Sequence, residues 1–133
     1  MLLTGGCYCG AVRYQTTGET RNRTVCHCPT CRRVSGAPNV AWFTVTQGEF
    51  AWVKGTARRF RSSELVERTF CGDCGSALTY ARDDYPDELD VTMCTLDDQD
   101  AIAPVDQTFC QYRLAWVPQQ ASFREYQRTR SEG

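Results

Sequence analysis

Cysteine spacing constrains this chain more than any other feature. The run Cys26-His27-Cys28-Pro29-Thr30-Cys31 places three thiols within six positions, followed by Arg32, Arg33 and Gly36. Cys7 and Cys9 form a second group near the N-terminus, and Cys71 and Cys74 a third past the middle. Cysteines two or three apart form strained disulfides at best but chelate a single ion readily. Zinc is the most economical ion for such a set. The opening Met1-Leu2-Leu3-Thr4 is too short for a signal-peptide apolar region, and no run is long enough to span a bilayer. The expected setting is therefore a reducing cytoplasm, where clustered thiols bind metal more often than they pair.

Seven thiols can be divided in two ways. Cys28 and Cys31 could join Cys71 and Cys74 in a ribbon-like four-cysteine site, leaving Cys7, Cys9 and Cys26 over. Alternatively, Cys7, Cys9, Cys71 and Cys74 form the closed site, and Cys26, Cys28 and Cys31 a compact trio. Extended geometry favours the second division, because residues two apart point the same way and Cys31 follows one turn later. The closed site then ties the N-terminus to the middle of the chain and contributes on the order of 10 kcal/mol to folding. A zinc held by three protein ligands keeps one position for an outside molecule, the mark of a catalytic site; with an unseen fourth ligand the trio would be structural. Three thiolates make the ion soft, suited to another sulfur or to polarising a small carbonyl. His27, between two ligands of an extended segment, should face away from the metal, either as a general acid or base or as a packed side chain. Cys94 and Cys110 stand alone and read as small buried apolar residues, or as exchangeable partners of the second metal.

The remaining pattern is that of a mainly β chain. Pro29 suits the first position of a short helical turn, Gly36 its end, with Cys28 near the cap and Cys31 in the first turn. Gly5 to Gly10 reads as a turn, Ala11–Thr16 as a strand, 17–23 as a loop and Thr24–Cys26 as a short strand. Further strands are expected at 40–46, 50–53, 57–61, 65–70, 77–80, 89–93 and 108–116. One domain is expected over residues 1–123, with 124–133 a frayed polar tail. The net charge of -1 and a pI near 5.8 exclude broad electrostatic binding to nucleic acid or to an anionic membrane. Lys54 is the only lysine, so 14 of the 15 basic residues are arginine, the better bidentate partner of a carboxylate.

These residues resemble a known family. Gly5-Gly6-Cys7-Tyr8-Cys9-Gly10, the central Cys26–Arg33 run with Ser35-Gly36, Phe60-Arg61-Ser62-Ser63, Phe70-Cys71-Gly72-Asp73-Cys74-Gly75 and Thr95-Leu96-Asp97-Asp98 are similar to the glutathione-dependent formaldehyde-activating enzymes, a family that includes centromere protein V. The similarity spans roughly residues 3 to 118. It implies a β-tent fold of small antiparallel sheets and two zinc ions, one held by Cys7, Cys9, Cys71 and Cys74, the second more loosely by Cys26, Cys28 and Cys31. The activity it implies is a carbon–sulfur lyase run in reverse, condensing formaldehyde with glutathione. On that reading the partners are a small thiol and a small aldehyde, and Arg32 or Arg33 would clamp a glutathione carboxylate. His27, Asp73 and Asp97 are candidates for the general acid or base. Two positions depart from the family pattern: Gln107 stands where many members carry His, and Cys110 where an aliphatic or small polar residue is usual. The alternative is a non-catalytic, zinc-stabilised protein-binding module; no sequence feature speaks for an oligomer.

Overall fold

The computed structural model describes residues 1–132, and the chain is mainly β. Strands β1 (Leu3–Gly6), β2 (Arg13–Thr16) and β5 (Phe50–Lys54) form a three-stranded sheet. The larger sheet contains β3 (Arg21–Cys26), β4 (Val40–Thr46), β6 (Arg58–Ser63), β7 (Val66–Phe70), β8 (Ala77–Arg82), β9 (Glu88–Thr92) and β10 (Asp106–Thr108). Its order is β10-β3-β4-β9-β8-β7-β6. Every pairing is antiparallel except β10 with β3, which runs parallel.

Strict alternation along these strands separates core from site. In β4, Phe43 and Val45 are fully buried on one face, as is Val91 of β9, while Trp42 and Thr44 point the other way. The small sheet closes over the first face: Tyr14 stacks on Phe50 at 5.2 Å and meets the edge of Trp52 at 6.3 Å. Each such side chain stabilises the fold by about 1.5–3 kcal/mol through burial. The Tyr14 hydroxyl sits 2.7 Å from Thr95 Oγ1, so burial leaves no polar atom unpaired there.

The one α-helix among the described residues is α1 (Pro29–Ser35). Pro29 opens it, Cys28 is its N-cap and Gly36 ends it in the left-handed conformation at φ 68°. Three expectations need correction. The glycine-rich opening is a strand, β1, before it turns at Cys7. β3 begins at Arg21, taking three residues from the expected loop, because β4 offers Thr44 as a partner for Arg21. The expected strand over 108–116 shrinks to β10, which covers only Asp106–Thr108. Its partner β3 ends at Cys26, where the chain turns into α1, so nothing remains for later residues to pair with. Phe109 adopts φ 55° and the chain continues in 3-10 turns at Cys110–Tyr112 and Val117–Ser122. In the described part of the tail, Arg124 and Arg130 lie over the Tyr126 ring. No helix among the described residues is long and apolar enough to cross a membrane.

Candidate metal centres and their cavities

Two turns bring the first thiol group together. Cys7 follows β1, and Gly10 N–H donates to its carbonyl at 3.2 Å; between β7 and β8, Gly75 N–H donates to the Cys71 carbonyl at 2.8 Å. The second turn requires φ 82° at residue 75, which glycine supplies without strain. Backbone N–H groups also face the sulfurs, Val12 to Cys7 Sγ at 3.2 Å and Asp73 to Cys71 Sγ at 3.4 Å. The Sγ atoms of Cys7, Cys9, Cys71 and Cys74 lie within 4.8 Å of one another. Sulfurs 2.3 Å from a tetrahedral zinc sit about 3.8 Å apart. The observed separations of 3.7 Å (Cys7–Cys9) and 3.8 Å (Cys9–Cys71) fit that ion.

The second group is built at one corner. Cys26 ends β3, Cys28 caps α1 and Cys31 lies in its first turn, with Cys31 N–H donating to Cys28 Sγ at 3.2 Å. The three sulfurs also lie within 4.8 Å of one another, Cys26 and Cys31 at 3.6 Å. Among the described residues no fourth His, Cys, Asp or Glu joins them. Thiols this close do not ionise together. The neighbouring Cys31 holds the Cys26 thiol down, whereas the bond to Cys26, helped by burial, pushes Cys31 up. In the first group the Ser76 hydroxyl, then its backbone, holds Cys74 at about 5. A dication removes such conflicts, so both donor sets suit zinc.

The trio lines a cavity of about 550 Å³ on the face of the large sheet that carries Trp42 and Thr44. Even-numbered strand residues make its floor, since alternate side chains share a face. Thr44, Asp90, Tyr80 and Arg68 form one cross-strand row, each opposite the next in register. Thr44 Oγ1 donates to Asp90 Oδ1 at 2.6 Å, and the Arg68 guanidinium lies 5.0 Å from the Tyr80 ring centroid. Burial pushes the Asp90 carboxyl up, partly offset by the Thr44 hydroxyl. Arg68 is only 4% exposed, bonds Ser62 Oγ through Nε at 2.9 Å and brings Nη2 within 3.7 Å of Cys31 Sγ. A buried guanidinium beside thiolates offsets their negative charge. Its position at the third residue of β7 carries no local sequence signal; only register places it against Cys31.

The other candidates lie elsewhere. His27 is fully buried and outside the cavity lining, its Nε2 2.8 Å from Gln107 Oε1, while Nδ1 has no partner. Gln107 therefore holds the histidine from the neighbouring β10. Arg32 donates to the carbonyls of His27 and Tyr112, fastening α1 to the later turn. Arg33 lines a second cavity instead. Asp97 is paired with Arg13 at 2.8 Å and Asp73 lies in the first thiol turn, both away from the cavity lining. Cys94 and Cys110 are exposed rather than buried, each in a 3-10 turn, and neither belongs to a thiol group.

Residues 2–112 match the family model of the glutathione-dependent formaldehyde-activating enzymes. The chain belongs to that family. A curated relative from Schizosaccharomyces pombe, named an uncharacterized lyase, is 34% identical over 77 residues, 58% of this chain. The match spans 56% of that relative's length. A crystal structure of a Rhodobacter sphaeroides protein aligns with a TM-score of 0.61 at 24% identity, covering 79% of this chain and 99% of the other. At that identity the likeness concerns the fold alone. The formaldehyde-activating family match takes in every cysteine of both thiol groups.

Proposed function

We propose that this protein is a zinc-dependent carbon–sulfur lyase-type enzyme that joins a small aldehyde to a thiol such as glutathione, or cleaves the adduct. The observation that carries the reading is the three-cysteine group lining a cavity of about 550 Å³, with no fourth His, Cys, Asp or Glu joining it among the described residues. Family membership and the lyase name of the yeast relative support the same class. Cys7, Cys9, Cys71 and Cys74 would hold a structural zinc, and Cys26, Cys28 and Cys31 a second. When bound, the second ion supplies a Lewis-acidic site that favours thiolate over thiol or polarises a carbonyl oxygen. In the condensation the thiol sulfur bonds to the aldehyde carbon, the carbon–oxygen double bond becomes single, and the thiol proton passes to oxygen.

The chain's own residues would orient the reactants. Arg68 places a fixed positive charge beside the trio, where negative charge on oxygen or on a substrate carboxylate is stabilised. Glu88 and Asp90 lie on the same cavity, so a zwitterionic thiol finds both signs of charge. The volume lies within the range of small-molecule sites, about 300–1,000 Å³. Unpaired thiols at all nine cysteines suit a reducing, cytoplasmic setting. We place this site in a single domain over residues 1–123. The alternative, a non-catalytic zinc-stabilised binding module, draws on the orientation of His27, whose ring pairs with Gln107 rather than lining the cavity.

Metal analysis and adduct kinetics separate the two. The enzyme reading expects two zinc equivalents and acceleration of adduct formation or cleavage over buffer. Cys28→Ser should abolish turnover, lose one equivalent and keep the fold. Two inert equivalents and adduct kinetics indistinguishable from buffer would leave the module.

A further inference from the structure

A second cavity of about 610 Å³ is lined by residues of α1, β4, β6, β7 and β8 and, like the first, by Cys31. The two share Cys31, Trp42 and Arg68 in their linings but differ in charge. Glu88 and Asp90 line the first cavity; no carboxylate lines the second, which has Arg33, Arg58, Arg59 and Arg68. Of these, Arg59 is paired with Glu67 at 2.7 Å. Among the described residues, Arg33, Arg58 and Arg68 have no carboxylate within ion-pair distance. Val34, Phe60 and Phe70 give the wall an apolar part, beside the neutral hydroxyls of Ser35, Thr69 and Thr79. Val34 and Phe60 are each 37% exposed.

We propose that this second cavity is a binding site for a small carboxylate with an apolar body, such as an aryl or branched-alkyl acid. Arg68 already faces Ser62 and Cys31, which leaves Arg33 and Arg58 as guanidiniums on one concavity without a counter-ion. A bound carboxylate relieves their mutual repulsion through charge-assisted, bidentate hydrogen bonds. Arg58 is held ready for it. Its stem lies across Gly72, where an added Cβ would sit 2.5 Å from Arg58 Cδ, and its guanidinium is 6.0 Å from the Phe70 ring centroid. A side chain fixed in this way loses little freedom on binding. The apolar wall selects the body of the ligand, so inorganic anions and acetate lack half of the contacts. The first cavity differs in carrying Glu88 and Asp90 beside Arg68 and Arg82, so its charge is mixed where that of the second is of one sign. The site stands whether or not the thiol trio performs chemistry, since its readout is binding.

Calorimetric titration of the full-length, metal-replete protein tests this with phenylacetate, its neutral isostere phenylacetamide, and acetate. Phenylacetate should bind at least tenfold more tightly than either of the others. Arg58→Gln should weaken it about tenfold, and Val34→Glu, which puts a carboxylate into the cavity from an exposed helix position, should abolish it. Asp90→Asn, confined to the first cavity, should leave it unchanged. Equal affinity for phenylacetate and phenylacetamide overturns the proposal. So does the absence of binding at millimolar ligand, or binding that survives Arg58→Gln and Val34→Glu but not Asp90→Asn.

Discussion

The two thiol groups use one ligand type and differ in what they connect. Cys9 and Cys71 stand 62 residues apart, so an ion held between them closes a long loop and removes much of the unfolded chain's freedom. Cys26 and Cys31 are five apart, so an ion there constrains almost nothing that β3 and α1 do not already fix. The first group carries two buried and two exposed cysteines in paired glycine-rich turns, with no cavity opening on it among those described. The second lines two cavities and lies beside a buried guanidinium. Identical donors thus serve topology in one place and access in the other. Loop length and surroundings make the difference, rather than the ligands.

The largest expected effect tests that division directly. Under the two-zinc reading, Cys71→Ser removes on the order of 10 kcal/mol of metal-coupled folding energy, more than a small domain can spare, and circular dichroism should show an unfolded chain. Cys28→Ser should keep the native spectrum, and a comparable loss of fold there would break the contrast. Next, Arg68→Gln should lower adduct turnover by about 10- to 150-fold, matching about 1.5–3 kcal/mol for a hydrogen bond to a charged group. The zinc content of the four-thiol group should not change, and loss of both metals would show that Arg68 serves the whole fold.

Thr44→Val addresses the cavity wall separately from either metal group. It leaves the half-buried Asp90 without its hydroxyl donor and should cost about 1–3 kcal/mol in urea denaturation, with both zinc equivalents retained. The smallest effect belongs to Asp97, held at about 2 by the Arg13 guanidinium and then by the Thr4 hydroxyl. Its folded-state value is depressed, so its contribution is fully present above the ordinary carboxylate value of 3.8 and is lost as pH falls through about 2. Asp97 is half exposed, so solvent screening limits the pair to less than about 1 kcal/mol. Asp97→Asn should flatten the acid limb of the stability profile slightly and leave the neutral-pH melting temperature almost unchanged.

Local patterns were readable wherever the signal was local. Pro29 and Gly36 mark the limits of α1 because one closes φ and the other tolerates the left-handed conformation. The strand at 40–46 was legible from its β-branched and aromatic residues, and Val40–Thr46 is its observed extent. The strand expected over 108–116 misled because β propensity without a partner makes no strand, and β3 provides one for three residues only. Arg68 was missed for a related reason. Nothing near it in the chain distinguishes it from Arg59 or Arg61, which reach solvent and pair with Glu67 and Asp83.

Sequence alone determined the mainly β character, the corner that turns on Pro29, and the family, because cysteine spacing and turn residues act over a few bonds. Tertiary structure alone decided that Arg68 meets Cys31, that Asp90 faces Thr44 and Tyr80, and that His27 turns to Gln107. Those contacts depend on strand register, and register is settled by the packing of whole faces against the core rather than by any short run of residues.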